Sequence, residues 1–360
     1  MGNTRKSIII GSGSYLPTRT ITNKDFMGHI FFNQDGTVLE KTNEEIIRQF
    51  EQITGIRERR YVTDDLVTSD IATLAATSAL ESAQIDCESL DYIIVAHNFG
   101  DIRADNPRSE FVPSLASRVK YNLEISNSRT IAYDLPFGCA GWLQGVIQAD
   151  FYLRSGNAHR IMVIGAETLS RICDPHDRDS MIYADGAGAV ILEAMESAEP
   201  VGILAHVTRS YSHELAYVLK MEKSSNPAYG NNRLFLKMQG RKLYEHALKY
   251  VPVAIKESIA MAGLSIADID KMLIHQANNK MDEAILKQLY ELYGIKSIPD
   301  NMMPMTISWL GNSSVATLPT LYDLFSKGKI ENYNITNDRI LAFVAVGAGV
   351  NINSLIYRIP

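Results

Sequence analysis

The 360-residue chain carries a net charge of −6, with 46% hydrophobic and 21% charged residues. This is an ordinary globular balance that excludes a disordered chain and argues against a nucleic-acid partner, which needs a broad basic face. Its three cysteines, Cys87, Cys139 and Cys173, form no CxxC pair, so neither a disulfide framework nor a zinc site is indicated and a reducing cytoplasm is expected.

From the N-terminus, MGNTRKSIIIGSG has too short an apolar run for a secretory signal. Short β-branched runs then alternate with helical patterns, predicting an α/β fold of βαβ units on a largely parallel sheet. Strands are expected at Ser7 to Ile10, Tyr92 to Ala96, Thr130 to Tyr133, Arg160 to Gly165 and Ala187 to Leu192, with a turn-bearing insertion from Met27 to Glu44. A second set follows Pro200: Gly202 to Ser210, Lys271 to His275, Ile340 to Ala345 and Asn351 to Tyr357. Its helices are expected near Lys237 to Ala262, Met281 to Leu292 and Ser313 to Ser326, and Lys220 to Asn232 reads as a surface loop. The longest apolar run, Ile340 to Val350, is well short of the ~20 residues that span a bilayer, so no membrane association is expected.

The two sets echo one another. Ala83 to Val95 matches Ala262 to Ile274 without a gap, Gly138-Cys139-Ala140 resembles Gly311-Asn312-Ser313, and Asp185-Gly-Ala-Gly-Ala189 resembles Val346-Gly-Ala-Gly-Val350. Three echoes in one order predict two related halves, 1–199 and 200–360, with a ligand site where equivalent strand ends meet.

Cys139 lies between a strand and the expected helix Ala140 to Tyr152, where the helix dipole is expected to lower its pKa below about 8.5 and favour the nucleophilic thiolate. A lone cysteine is more often a small buried hydrophobe, however. His275 ends a buried strand, a position suited to proton transfer and equally to a satisfied core histidine; His97 ends the paired strand. Asn312 at a helix start is by itself an ordinary N-cap. The combination raises the odds: if the halves are related by a pseudo-twofold axis, Cys139 and Asn312 face each other from equivalent helix starts with His275 between them. Ile8-Ile-Ile-Gly-Ser-Gly-Ser14 and Asp185-Gly-Ala-Gly-Ala189 lack the strand–glycines–helix order of a dinucleotide loop. Gly347-Ala348-Gly349 suits close backbone approach and an oxyanion N–H.

Six motifs in order, Thr54-Gly-Ile-Arg-Glu-Arg59, Gly138-Cys-Ala-Gly-Trp142, Cys173-Asp-Pro-His-Asp-Arg178, Asp185-Gly-Ala-Gly188, His275-Gln-Ala-Asn278 and Gly311-Asn-Ser-Ser314, resemble the β-ketoacyl-acyl carrier protein synthase III family of the thiolase superfamily. The resemblance implies a five-layer αβαβα fold and a homodimer. It also implies a Cys139–His275–Asn312 triad, oxyanion amides at Cys139 and Ala348, Claisen condensation with a malonyl or β-ketoacyl carrier thioester, and no cofactor. Acyl transfer or thioester hydrolysis without carbon–carbon bond formation is the competing activity, and a non-catalytic scaffold the competing role.

Substrate contacts are implied at Val112, Arg178, Asn278, Gly347 and Gly349, with carrier docking at Lys280, Arg241, Lys242 and Lys249; the bland reading of these cations is a solvated helix face. Two positions depart from the family pattern. Glu45 stands where a tryptophan often stacks on coenzyme A, which puts coenzyme A priming in doubt. Val112 stands where a partner's bulky phenylalanine closes the acyl tunnel, implying longer acyl groups. Both changes resemble relatives serving dialkylresorcinol or aryl-polyene pathways.

Overall fold

In the computed structural model, residues 4–229, 232–331, 333 and 339–360 are described. The first half runs β1 (Thr4–Tyr15), β2 (Arg19–Thr22), α1 (Asn43–Thr54), β3 (Glu58–Tyr61), α2 (Thr68–Ala83), β4 (Tyr92–Ala96), α3 (Leu115–Asn122), β5 (Ile131–Leu135), α4 (Gly141–Ser155), β6 (Arg160–Thr168) and β7 (Asp185–Ser197). The second runs β8 (Gly202–Ser210), α5 (Ser212–Leu215), β9 (Leu219–Glu222), β10 (Phe235–Met238), α6 (Gly240–Met261), β11 (Lys271–Ile274), α7 (Asn279–Leu292), α8 (Ile307–Leu310), α9 (Thr317–Ser326), β12 (Ile340–Gly347) and β13 (Asn351–Arg358).

One large sheet has the order β1-β7-β6-β4-β5 and the other β11-β12-β13-β8. The sheets are mixed, which corrects the largely parallel expectation: β6, β4 and β5 run parallel, as do β11 and β12, whereas β1, β7, β13 and β8 pair antiparallel. Strands buried on both faces have the same apolar composition whichever way they run, so composition does not reveal direction.

Alternation along each strand builds the layers. On β4, Ile93 and Val95 face a core shared with α2 and α3, while Ile94 and Ala96 face a central core with α4 and α9. From the second sheet, Leu341, Phe343 and Ala345 point into that same central core, and Ala342, Val344 and Val346 point out toward α6 and α7. The result is five layers, αβαβα, with α4 and α9 sandwiched between the sheets. Close packing there needs glycine: a Cβ on Gly188 would sit 2.6 Å from the Thr320 nitrogen, so β7 and α9 touch through backbone.

Several predicted boundaries shift. Lys237 and Met238 belong to β10 rather than to the following helix, and the loop expected from Lys220 begins as β9, which pairs antiparallel with β10; of the expected loop, positions 230 and 231 lie outside the described residues. Lys237 ties this strand pair down, its Nζ lying 2.5 Å from Asp174 Oδ2 and 2.8 Å from Asp177 Oδ2. The insertion closes on a Phe32–Val38 bridge. Arg59 is buried against Phe26 and Phe50 and donates to the Met181 and Ile21 carbonyls and to Asn23 Oδ1, which ties β3 to α1, to the end of β2 and to the Met181 segment.

Candidate active site

Cys139 sits in a 3-10 turn, Gly138–Ala140, between β5 and α4. Gly138 makes that turn at φ +62°, and its missing Cβ leaves room for the Ala348 nitrogen, which a side chain would approach to 2.5 Å. Gly347 is equally constrained, since a Cβ there would lie 2.5 Å from the Cys139 nitrogen. The turn carrying the cysteine and the turn linking β12 to β13 therefore meet backbone to backbone, which brings the amides of Cys139 and Ala348 to one place. Gly349, at φ +76°, closes the second turn.

Cys139, Gly138 and Ala348 line a cavity of about 200 Å³ walled by Phe99, Leu169, Tyr183, Leu219, Met221 and Leu236. The Ser314 hydroxyl donates to the sulfur at 3.2 Å. Burial pushes the thiol up to about 11, against the lowering effect of that bond and of its own backbone amide, while Glu167 adds to the rise. The expected lowering by the helix dipole is thus overturned, because the cost of burying a thiolate exceeds the partial charge of a helix end. Cys87 and Cys173 donate to the Leu123 and Leu169 carbonyls instead.

His275 follows β11 and is 2% exposed. Burial alone lowers it to about 4, and its Nδ1 has no partner among the described residues. The ring is therefore neutral near pH 7 and donates through one nitrogen only. Gln276 beside it, unremarked in the sequence, is fully buried; its Oε1 accepts from the Thr306 and Ile307 amides at 2.8 and 2.9 Å, and its Nε2 donates to the Pro304 carbonyl. It thereby anchors the chain leading to Asn312.

Asn312 is held by both backbone groups, its N–H donating to Ile182 O and its carbonyl accepting from Ala184 N, and its Oδ1 accepts from Ser314 N at 2.8 Å. It does not occupy the position equivalent to Cys139. The cysteine lies two residues before Gly141, the start of α4, whereas Asn312 lies five residues before Thr317, the start of α9. Ser314, at φ +54° and opening the second 3-10 turn, is the counterpart of Gly138 at φ +62°.

Asn312 instead lines a second cleft of about 950 Å³, together with Phe50, Arg178, Arg241, Lys242 and Asn278. Ser314, two residues on, lines the cysteine cavity, so the Gly311–Ser314 segment borders both spaces; His275 is in the lining of neither. Asn278 caps α7 by accepting from Met281 N. Lys280 and Lys249 are exposed and do not line the cleft. Glu45 forms a capping box with Thr42 at the start of α1. Val112 is 90% exposed and lines neither cavity of its own chain.

Family models described as 3-oxoacyl-[acyl-carrier-protein (ACP)] synthase III and its C-terminal domain match residues 133–212 and 259–359. A β-ketoacyl-[acyl-carrier-protein] synthase III of Chelativorans sp. strain BNC1 is 33% identical over 98% of this chain and 99% of its own length. The chain belongs to the 3-oxoacyl-[acyl-carrier-protein] synthase III family. The crystal structure of the Aquifex aeolicus synthase III superposes with a TM-score of 0.77 at 28% identity, covering 98% of this chain and 99% of that one. The priming β-ketosynthase of the R1128 polyketide pathway shares the fold, with a TM-score of 0.80 at 24% identity, over 100% of this chain and 98% of its own.

Within this synthase III framework, Asn98, Glu167 and Ser314 are the polar residues near the sulfur that the sequence did not single out. Of these, only Ser314 falls within one of the six motifs.

Proposed function

We propose that this synthase III performs a decarboxylative or β-ketoacyl Claisen condensation through an acyl-Cys139 intermediate. The observation that carries the reading is the meeting of the Cys139 and Gly347-Ala348 backbones at the mouth of an apolar cavity, where two amides can hold an oxyanion beside a nucleophile. The Cys139 sulfur attacks the acyl thioester carbonyl; the carbon–sulfur bond to the donor breaks, and the donor thiol leaves with the proton. With a malonyl thioester, the bond to the carboxylate then breaks and CO₂ departs. Its electron pair forms an enolate that accepts hydrogen bonds from neutral His275 and from the Asn312 amide. The enolate carbon attacks the acyl group and the bond to Cys139 breaks; the sulfur leaves as a thiolate and takes a proton from solvent to restore the thiol.

Arg241 and Lys242 at the mouth of the larger cleft suit an acidic acyl carrier protein, and the engagement of Glu45 in a helix cap favours carrier-bound donors over coenzyme A. A homodimer fits the unpaired outer edge of β5 and the exposed Val112. Through a second copy, Val112 would leave space for acyl groups longer than acetyl, as in the lipid or dialkylresorcinol-like pathways of a cytoplasmic enzyme. Incubating the protein with acyl and malonyl or β-ketoacyl carrier thioesters is the test. A β-ketoacyl or cyclised product, with CO₂ from malonyl, is expected; free acid alone would replace this reading with thioester hydrolysis.

A further inference from the structure

A chain of polar contacts from three distant segments ends on the Cys139 sulfur. Glu167, at the end of β6 and 1% exposed, accepts from the Asn98 backbone N–H at 2.5 Å and from Asn98 Nδ2 at 2.9 Å. Asn98 Nδ2 also reaches Ser314 Oγ at 3.4 Å, and Ser314 Oγ donates to Cys139 Sγ at 3.2 Å. Asn98, Ser314 and Cys139 line the cysteine cavity, whereas Glu167 stands behind them.

We propose that Glu167 is a positioning residue for the Cys139 sulfur, acting through Asn98 and Ser314. The carboxylate fixes the Asn98 amide, the amide occupies a lone pair of the Ser314 hydroxyl, and the hydroxyl proton is left directed at the sulfur. This rests on the reading of Cys139 as the nucleophile. Both bonds from Asn98 converge on Glu167 Oε1, so Oε2 is free to carry a proton and the chain survives protonation of the acid.

Geometry and charge act in opposite senses on the thiolate. The Ser314 hydroxyl favours it, and a negative Glu167 opposes it. Burial raises Glu167 to about 7; His97 and Asn98 draw it down, and Asp185 pushes it further up. Cys139 itself is raised by burial and by Glu167 and lowered by Ser314 and its own backbone amide, and Tyr183 across the cavity also senses its charge. Glu167 thus changes charge within the working pH range, and ionisation of the thiol and of Glu167 disfavour one another.

The test is the pH profile of Cys139 alkylation by iodoacetamide, read by peptide mass in the full-length protein. Glu167→Gln keeps the Oε1 acceptor and removes the charge, so alkylation at a fixed pH near 8 is expected to rise about three- to tenfold, with the midpoint moved down. Ser314→Ala removes the donor and is expected to slow it by a similar factor, with the midpoint moved up. A merely structural role would lower thermal stability without displacing either midpoint. Profiles superimposing on the wild type, or moving in one direction for both variants, would overturn the proposal. Should Glu167→Gln not fold, an unmoved Ser314→Ala profile overturns it alone. Failure of the underlying reading looks different: an acyl adduct that persists in Cys139→Ser, whatever the alkylation profiles.

Discussion

Two histidines end comparable strands in the two halves, and among the described residues only His97 has a carboxylate within ion-pair distance. His97 follows β4; its Nδ1 accepts from Gly100 N at 3.1 Å, and its Nε2 lies 2.9 Å from Asp134 Oδ2, though out of line for a straight hydrogen bond. Asp134 in turn accepts from the first amides of α3, Leu115 and Ala116. His275 follows β11, and among the described residues its Nδ1 has no partner and no charged group shifts it; burial sets its low pKa of about 4. A strand end supplies the location in both halves. Absence of a protein partner is what leaves His275 for a ligand.

Exchange of each ring for a methyl group breaks this comparison most sharply. His275→Ala is expected to lower condensation about 10²- to 10³-fold while acyl loading of Cys139 persists. His97→Ala is expected to affect condensation far less and to cost about 1–3 kcal/mol of stability, because Asp134 loses a partner. Separate assays of loading, malonyl decarboxylation and thermal unfolding distinguish the two. Next in size, Asn312→Ala should lose decarboxylation with loading retained; equal loss of both steps would remove Asn312 from the enolate site.

The pH dependence of stability sharpens the contrast further. Since the folded pKa of His275 lies near 4, below its ordinary 6.5, the unfolded chain binds a proton between those values that the folded protein refuses. Stability therefore falls as pH drops through that window, by about 3 kcal/mol for this group. Groups held up by burial, such as Asp185 at about 6, act in the opposite sense, so the informative quantity is the wild type minus His275→Gln. That difference should shrink on acidification from pH 7 to 4.5, as measured by denaturant unfolding; a constant difference would mean that the ring is not desolvated. The smallest effect is expected from Val112→Phe, a reduction of about fivefold for long acyl donors relative to acetyl; equal rates would take Val112 out of the tunnel.

The main strands along the chain were legible because buried strands read as apolar runs, and so was one recurring helix–turn–strand passage: α2 leads through Cys87–Ser89 to β4 as α6 leads through Ile266–Asp268 to β11. The Cys139 turn was legible for the same reason, as a strand followed by Gly-Cys-Ala and a small-residue helix. Strand direction was not, since composition is indifferent to it. The Asn312 offset was hidden because Gly311-Asn-Ser mimics Gly138-Cys-Ala, while the matching left-handed position falls at Ser314. The thiol's upward shift depends on enclosure by residues as distant as Leu236 and Ala348, and the Glu167–Asn98–Ser314 chain spans 69 and 216 positions. No local pattern marks either.

Intact-mass measurement of the wild type and His275→Ala, after exposure to a carrier-bound acyl donor and then to a malonyl thioester, tests the division of labour most directly. Both proteins should gain one acyl group on Cys139, and only the wild type should discharge it as a condensed product. An adduct on another residue, or a His275→Ala protein that discharges as fast as the wild type, would contradict the account.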